Sequence, residues 1–539
     1  MKFKKRVLCI VLTLAMCLTL TACGGGKNKG GKGTEITEVK FPLEEQVSFT
    51  FMVKGTEGVT FAEDIAKNSL WKRLEEKTNV HIEFQFLGDS PTEKLSLLVN
   101  GDGYGDVLWG GPMINSTEAS KYIAAGIFVE LNKYLTEELM PNFMDELEEN
   151  PSILNSITAS DGNVYTMPKI TGLPGHYVES PIWVNKAWLD KLGLSVPETL
   201  DEFTEMLRAF AERDPNGNGL ADEIPYICAT GQSAMHTEAL LGLWGLATKD
   251  GINDAFVQVV DGKVRFVPAT DAYKEAVAYM AKLYEEGLMW SEAFTADTTA
   301  INAKLTSETP VVGCFTSMQP AETLYKGDYV CIAPPKVDGY KACWYYHPAF
   351  NGSSNQFFVT DKCENVNVLM AWLDNFYDLD VTMEALYGSV EDGRIIINDD
   401  GKYERMKLDE ETTAKLNKEA PTLSTLLGNF VCSISANDFE NRVVLDETQR
   451  YAQSNYEIYK DYITKEPWPR PYISVDDSYD LSTYSTDLLY EVTTKRASWI
   501  TGKSDVNGEW EAYTSKLDNL GLNKFLEIMQ RAYDANQGK

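Results

Sequence analysis

Two runs near the start of the chain, VSFTFMV and VHIEFQFLG, alternate apolar and polar residues as half-buried strands do. The stretch between them, FAEDIAKNSLWKRLEEKTN, carries the spacing of an amphipathic helix. A β-α-β unit of this kind makes the two strands parallel and demands helices over the faces of their sheet. DVLWGGP adds a third short apolar run, and STEASKYIAAGIFVELNKYLTEELM after it reads as helix. The first structural unit is therefore α/β, and its ligand edge lies at the carboxyl ends of the strands. At 539 residues the chain exceeds one ordinary core, so two or three units are expected. Its 80 acidic against 49 basic residues argue against nucleic acid or an anionic membrane surface as a partner, because both repel a surface of this sign.

Residues 1–22 lie outside the fold: MKFKKR is a basic leader, VLCIVLTLAMCLTL an apolar core too short to span a membrane, and TAC follows at once. LTAC resembles the bacterial lipobox, which implies Cys23 as the lipidated first residue of the mature chain; the alternative is a plain secretory signal that ends in Cys. The glycine-rich tract up to residue 40 then reads as a flexible tether. A diacylglyceryl cysteine carries two chains, enough to hold a domain stably at a membrane. Of the remaining cysteines, Cys228, Cys314, Cys331, Cys343, Cys363 and Cys432, no two stand at the close spacing of a zinc or redox motif. Their pairing is left open by the sequence.

Further along, ASDGNVYTMPKITG reads as a turn and an extended crossing segment, ESPIWVNKAWLDKLGL as strand, cap and helix, and PETLDEFTEMLRAFAERD as an amphipathic helix entered through Pro197. TPVVGCFTS and DYVCIAPPKVDG have strand-then-loop character. CWYYHPAFNGSSNQFFVT is a second crossing, and NVNVLMAWLDNFYDLDVTMEALYG and YTSKLDNLGLNKFLEIMQRAYDAN are helical. The loop RDPNGNGLADEIPY repeats the spacing of an EF-hand calcium loop: Asp214, Asn216 and Asn218 at positions 1, 3 and 5, Gly219 at 6, the Leu220 carbonyl at 7 and Asp222 at 9. Position 12, however, is Pro225, which has no side-chain ligand. Carboxylate and amide oxygens without His or Cys suit a hard cation. The same residues also form an Asx and Gly turn without metal.

WVNKAWLDKLGLSVPETLDEFTEMLRAFAERDPNGNGLADEIP is similar to the extracellular solute-binding proteins of bacterial ABC importers, and more narrowly to the large lipoprotein branch of family 1 that includes the alginate-binding proteins. DGKVRFVPATDAYKEAVAYMAKLYEEGL, WLDNFYD and SWITGKSDVNGEWEAYTSKLDNLGLNKFLEIMQRAYD carry the same resemblance in the expected order. It implies an α/β, two-lobed, periplasmic-binding-protein-like (type II) clamp whose chain crosses the hinge more than once. Residues 41–168 with 350–430 form one lobe; residues 169–349 with 431–539 form the other and hold the calcium loop 214–223. The resemblance also implies that Glu223 closes the metal site, that calcium is structural, and that the ligand is a carbohydrate, usually an oligosaccharide, delivered to an ABC permease by a monomer anchored on the outer face of the cell membrane.

Where a strand end or hinge segment should face the cleft, the chain places Trp109, Trp183, Trp244 and Trp344, with Tyr345, Tyr346 and His347 beside the last; LLGLW around Trp244 reads equally as an apolar helix face. Flat rings bury the C–H face of a sugar while polar neighbours such as Asp106 and Asn185 bond its hydroxyl rim. At least two of the four tryptophans are expected to line the site. Two rival classes remain. One is a secreted carbohydrate-active enzyme, a glycoside hydrolase or calcium-dependent lyase, although GxSxG, HExxH and a glycine-rich phosphate loop are all missing. The other is a binding lipoprotein for a non-sugar solute such as a peptide.

Overall fold

The computed structural model describes residues 38–537 except 55–63, 89, 111–112, 160, 173–176, 232–234, 248–255, 321–322, 348–352, 429 and 470. The expected leader, Cys23 and most of the tether fall outside the described residues. The chain runs through β1 (Val47–Val53), β2 (Val80–Phe86), β3 (Val107–Trp109) and β4 (Thr166–Thr171), then crosses to β5 (Tyr177–Val178) and β6 (Ile182–Asn185). It continues through β7 (Ile224–Tyr226), the hairpin β8 (Val257–Val260) and β9 (Lys263–Phe266), β10 (Val312–Thr316) and β11 (Tyr329–Cys331). It returns by β12 (Tyr346–His347) to β13 (Ser353–Val359), makes a second hairpin of β14 (Ile395–Ile397) and β15 (Tyr403–Arg405), and closes with β16 (Ser433–Ile434) and a set of helices.

Two main sheets result. The first has the order β16-β4-β13-β3-β1-β2 and the second β11-β6-β10-β7. The β-α-β unit read from the sequence is present: β1 and β2 are parallel, Phe51 opposite Phe84, with the helix Ser69–Thr78 between them. That helix begins at Ser69 because the Asn68 side chain accepts the Trp71 amide, and it ends where Asn79 turns left-handed at φ 56°. Three expected long helices are broken. The stretch after β3 stops at Ala124, since Gly126 adopts φ 73° and its turn bonds back to Ile123 and Tyr122, a conformation that favours glycine. The Asp378 carboxylate ends one helical run and caps the helix Leu379–Tyr387, and Gly521 separates the last two helices.

Each sheet has its own core. Around the first, Phe51, Trp71, Trp109, Phe143, Phe357, Trp372 and Phe430 pack with other residues drawn from 49–170 and 357–432. Around the second, Trp183, Trp188, Phe210, Trp244, Trp344 and Trp499 pack with residues drawn from 178–344 and 459–533. Both cores are thus built from two stretches of chain. Polar groups tie the stretches together. Asp374, 4% exposed, accepts the amides of Asn142 and Phe143 at the start of the helix Pro141–Glu149, and burial pushes its carboxyl up to about 6. The Arg496 guanidinium lies 2.5 Å from the Glu238 carboxylate, both almost fully buried. The six cysteines among the described residues are free thiols, five of them buried and Cys343 half-buried.

Glu146, on the helix that Asp374 caps, receives the Ser433 hydroxyl of β16. Burial pushes its carboxyl up to about 7 against the lowering effect of that hydroxyl, and the charges of Asp438, Glu149 and Asp145 push the same way as burial. The folded state therefore binds a proton between pH 4.5, the ordinary value, and about 7 that the unfolded chain does not. Stability from this group is fully present below pH 4.5 and is lost as pH rises through 7. Glu146→Gln, which keeps the acceptor without the charge, should match the parent in unfolding free energy from urea titration at about pH 4 and exceed it at about pH 8 by about 2 kcal/mol, allowing for partial exposure. Equal unfolding free energies at both pH values would refute this.

Candidate functional site

Strand direction fixes where a ligand edge can lie. In the first sheet β1, β2 and β3 are parallel, and β13 runs antiparallel to both β3 and β4, so β4 shares their direction. Their carboxyl ends lie together where β4 leaves for the crossing at 172–176. In the second sheet β7 and β10 are parallel while β6 opposes β10 and β11. The start of β6 therefore lies beside the ends of β7, β10 and β11. The two edges are linked by a short antiparallel ribbon, β5 with β12, Tyr346 opposite Val178. Both sheets thus present the carboxyl ends of their parallel strands to one hinge ribbon, the place where open α/β sheets bind ligands.

Around this ribbon lie polar groups that the sequence does not single out. Asn355 sits at a register shift in β13 with φ 66°, 7% exposed; its side-chain oxygen accepts the Tyr472 hydroxyl at 2.6 Å and its amide reaches Ser116 at 3.4 Å. Ser116 begins the helix after β3, behind the capping box of Asn115 with Glu118. Across the ribbon, Ser180 has φ 53°, and Ser317 at the end of β10 bonds back to Pro181. Ser180 Oγ, Gln319 Oε1 and Asn455 Oδ1 are buried without a hydrogen-bond partner among the described residues. Single polar residues in otherwise apolar strand ends leave no periodic signal, so no sequence pattern flags them.

The expected contact residues fall into three groups. Trp183, Trp344 and Tyr345 gather behind the ribbon: the Trp183 indole donates to the Ser317 carbonyl at 2.7 Å, the Trp344 indole to the Ser180 carbonyl at 3.3 Å, and the Tyr345 carbonyl accepts from Glu179. Their rings are 3–7% exposed and form a wall rather than an open platform. Trp344 packs so closely over Gly242 that a Cβ there would lie 2.5 Å from its ring. Trp109 and Trp244 are elsewhere. Trp109 has no exposed surface and is enclosed by Phe51, Trp71, Trp372 and Phe376, and Trp244 lies on a buried 3-10 turn against Tyr279, which corrects the expectation that these two rings face a ligand. Asp106 precedes β3 and accepts the Thr50 amide, so it sits at the amino edge; Asn185 ends the reversed strand β6, fully buried as the cap of the helix Lys186–Leu192. Both are on the sheet ends away from the ribbon. The side chains of Tyr346 and His347 lie outside the described residues.

The 214–223 loop follows the helix Leu200–Glu212 and leads into β7. Asp214, with φ 44°, accepts the amides of Gly217, Asn218 and Gly219 at 2.8–3.1 Å, and the Asn216 and Asn218 amide groups donate to Asp222 at 3.0–3.1 Å. No group of three or more His, Cys, Asp or Glu side chains placed to hold a metal is found among the described residues. Glu223 nevertheless has a buried oxygen without a partner, and its carboxyl is raised by burial and then by the charges of Asp222 and Asp214, while backbone hydrogen bonds lower it. A buried, unpartnered oxygen facing two carboxylates fits a bound cation.

Residues 54–380, more than half of the chain, match the family described as bacterial extracellular solute-binding protein. The fructooligosaccharide ABC transporter substrate-binding protein FusA of Streptococcus pneumoniae is 27% identical over 565 residues, covering 100% of this chain and 99% of its own. The structure of its EF-hand mutant with fructo-nystose aligns at TM-score 0.72 and 23% identity, over 91% of this chain and 99% of that one. An HMO-binding ABC-transporter-associated solute-binding protein from Bifidobacterium longum infantis aligns at TM-score 0.79 and 24% identity, over 91% and 99%. The alginate-binding protein AlgQ2 without calcium aligns at 0.64 and 19%, over 92% and 100%. These likenesses show the fold, an α/β two-lobed clamp of type II. The matched region, both sheets and the ribbon between them place the chain in the bacterial extracellular solute-binding protein family.

Proposed function

We propose that this protein captures an oligosaccharide between two lobes at the hinge ribbon and delivers it to an ABC permease. One observation carries the reading: both sheets direct the carboxyl ends of their parallel strands at the β5–β12 ribbon. FusA, which matches along its whole length, is named for fructooligosaccharide and serves an ABC transporter. The lobes divide as 41–168 with 350–443 and 169–349 with 444–539, the third crossing moved from 430 to Val443 because β16 pairs with β4 and Ile434, Phe439 and Val443 pack with Leu379 and Met383. Sugar hydroxyls are bonded by Asn355, Tyr472, Ser180, Gln319 and Asn455, and Tyr346 and His347 are further proposed contacts. The protein does no chemistry on the sugar. Titration of the full chain with a panel of neutral oligosaccharides should change the intrinsic fluorescence of Trp183 and Trp344 and return the sugar intact; a panel with no response, or a cleaved product, would overturn the reading.

Calcium fits the 214–223 loop, held by the side chains of Asp214, Asn216, Asn218, Asp222 and Glu223 and the Leu220 carbonyl. The loop joins a helix to β7, so the ion acts as a structural staple. An ion bound only by the folded state adds about 2.7 kcal/mol at a hundredfold excess over Kd. EGTA should lower the melting temperature of the parent and leave Asp214→Ala unmoved; a parent curve unchanged by the chelator refutes the site.

Attachment by acylated Cys23 places the protein on the outer face of the bacterial cell membrane as a monomer. No helix among the described residues is long and apolar enough to cross a membrane. Cys23→Ser should release the protein to the medium with sugar binding intact, and retention of the variant on cells would point to another anchor.

A further inference from the structure

On a chain of net charge −31, one cavity gathers cations. It measures ≈ 800 Å³ and lies between the second hairpin with the segment after it and the start of the helix Glu447–Tyr459. Arg394, Arg405, Lys407 and Arg450 line it, with Glu404, Asp446 and Glu447. Two of the acids are already occupied: Asp446 pairs with Arg405, and Glu447 takes Lys326 at 2.7 Å. Lys407 and Arg450 stand farther from Glu447 than Lys326 does, but their charges help Lys326 to lower its carboxyl. Arg450 donates to the Leu445 carbonyl, and Arg394 reaches Asn417 and the Ala420 carbonyl through one nitrogen.

Arg394 is held in place by its surroundings. Its side chain crosses Gly388, φ 93°, where a Cβ would stand 2.1 Å from Arg394 Cδ, so only glycine leaves the path open. Its Nε is buried beside Gly388 with no acceptor among the described residues. Opposite it, the Arg405 guanidinium lies 4.5 Å over the Tyr387 ring. Tyr387, Met406, Leu408, Val444 and Leu445 supply apolar lining between the charges.

We propose that this cavity is a second ligand site, selective for a carboxylated saccharide. A guanidinium presents two parallel donors to a carboxylate, which is the geometry a uronate offers. The volume exceeds what a small inorganic anion needs and falls within the range of organic ligand pockets. The apolar lining matches the C–H faces of sugar rings, as a cationic patch for phosphate alone would not. The cavity also spans the third crossing: Tyr387 and Tyr403 pack with Ile395, Ile434, Phe439 and Val443, whereas Tyr451 of the same helix as Arg450 packs on Trp183 in the second core. An occupant therefore touches both sides of the hinge. The saccharide class rests on the proposed function, while the site itself rests on the cations.

The test titrates the full chain calorimetrically with digalacturonate, with the neutral disaccharide of the same linkage, and with inorganic phosphate. Lys407 and Arg450 are exposed and lie outside the hinge ribbon, so Lys407→Gln and Arg450→Gln should melt with the parent. Digalacturonate should bind the parent, weaken by about tenfold in Arg450→Gln, and weaken as salt rises from about 50 to 200 mM. The neutral disaccharide should be indifferent to both substitutions. Absence of digalacturonate binding, or binding unchanged in both variants, overturns the site; phosphate competing on equal terms overturns the saccharide class. Failure of the neutral oligosaccharide panel with digalacturonate binding intact would instead sink the hinge-ribbon reading alone.

Discussion

Neither core of this protein can close until distant chain returns to it. The first lobe waits for residues 357–432 to complete what 49–170 begin, and the second waits for the helices after 459. Buried polar contacts specify the return. Burial alone would push the Glu238 carboxyl up, but Arg496, with help from His236 and Thr237, holds it well below the usual carboxylate range. Losing one partner of such a buried pair costs about 3–5 kcal/mol, because the other charge is left uncompensated. Asp374 plays the corresponding role in the first core with backbone amides in place of a cation. Long-range closure of this kind gives slow folding and a lobe that moves as one body once formed.

From that constraint follows the hinge. A chain that enters the second lobe, leaves it and returns must cross the same boundary three times, and the first two crossings meet as the two-residue ribbon β5–β12. Few backbone bonds span the boundary there, whereas each sheet is fully paired within its own lobe. Rotation about the crossings therefore leaves both cores intact, which is the mechanical requirement for a clamp. The Tyr472–Asn355 hydrogen bond is an exception: it reaches from the segment before the helix Val475–Ile500 into the first sheet's strand β13.

The fold was legible wherever periodicity and capping agree. The β-α-β start, the helix Leu200–Glu212 with its Thr199–Glu202 capping box and the strands around Phe315 and Val330 lie where the pattern puts them. Trp71, Trp188, Trp372 and Trp499, on helices, are buried in the cores. Long helices were over-read because a single left-handed glycine, Gly126 or Gly521, interrupts an apolar period without erasing it. The site was legible only in position. A tryptophan at a strand end points into the core as readily as toward a ligand, and Trp109 does so fully. Strand polarity decides the matter for Asp106 and Asn185, and polarity within a sheet is invisible until pairing is known. The 214–223 turn was legible because its Asp, Asn and Gly spacing is local.

The six free thiols carry a last implication. Burial pushes Cys363 and Cys432 up to about 12, with Cys228, Cys314 and Cys331 raised by the same cause. At neutral pH these sulfurs stay protonated, and a protonated thiol neither attacks a disulfide nor is readily oxidised. These five thiols therefore serve the cores as small apolar side chains, and neither core relies on a disulfide among the described residues.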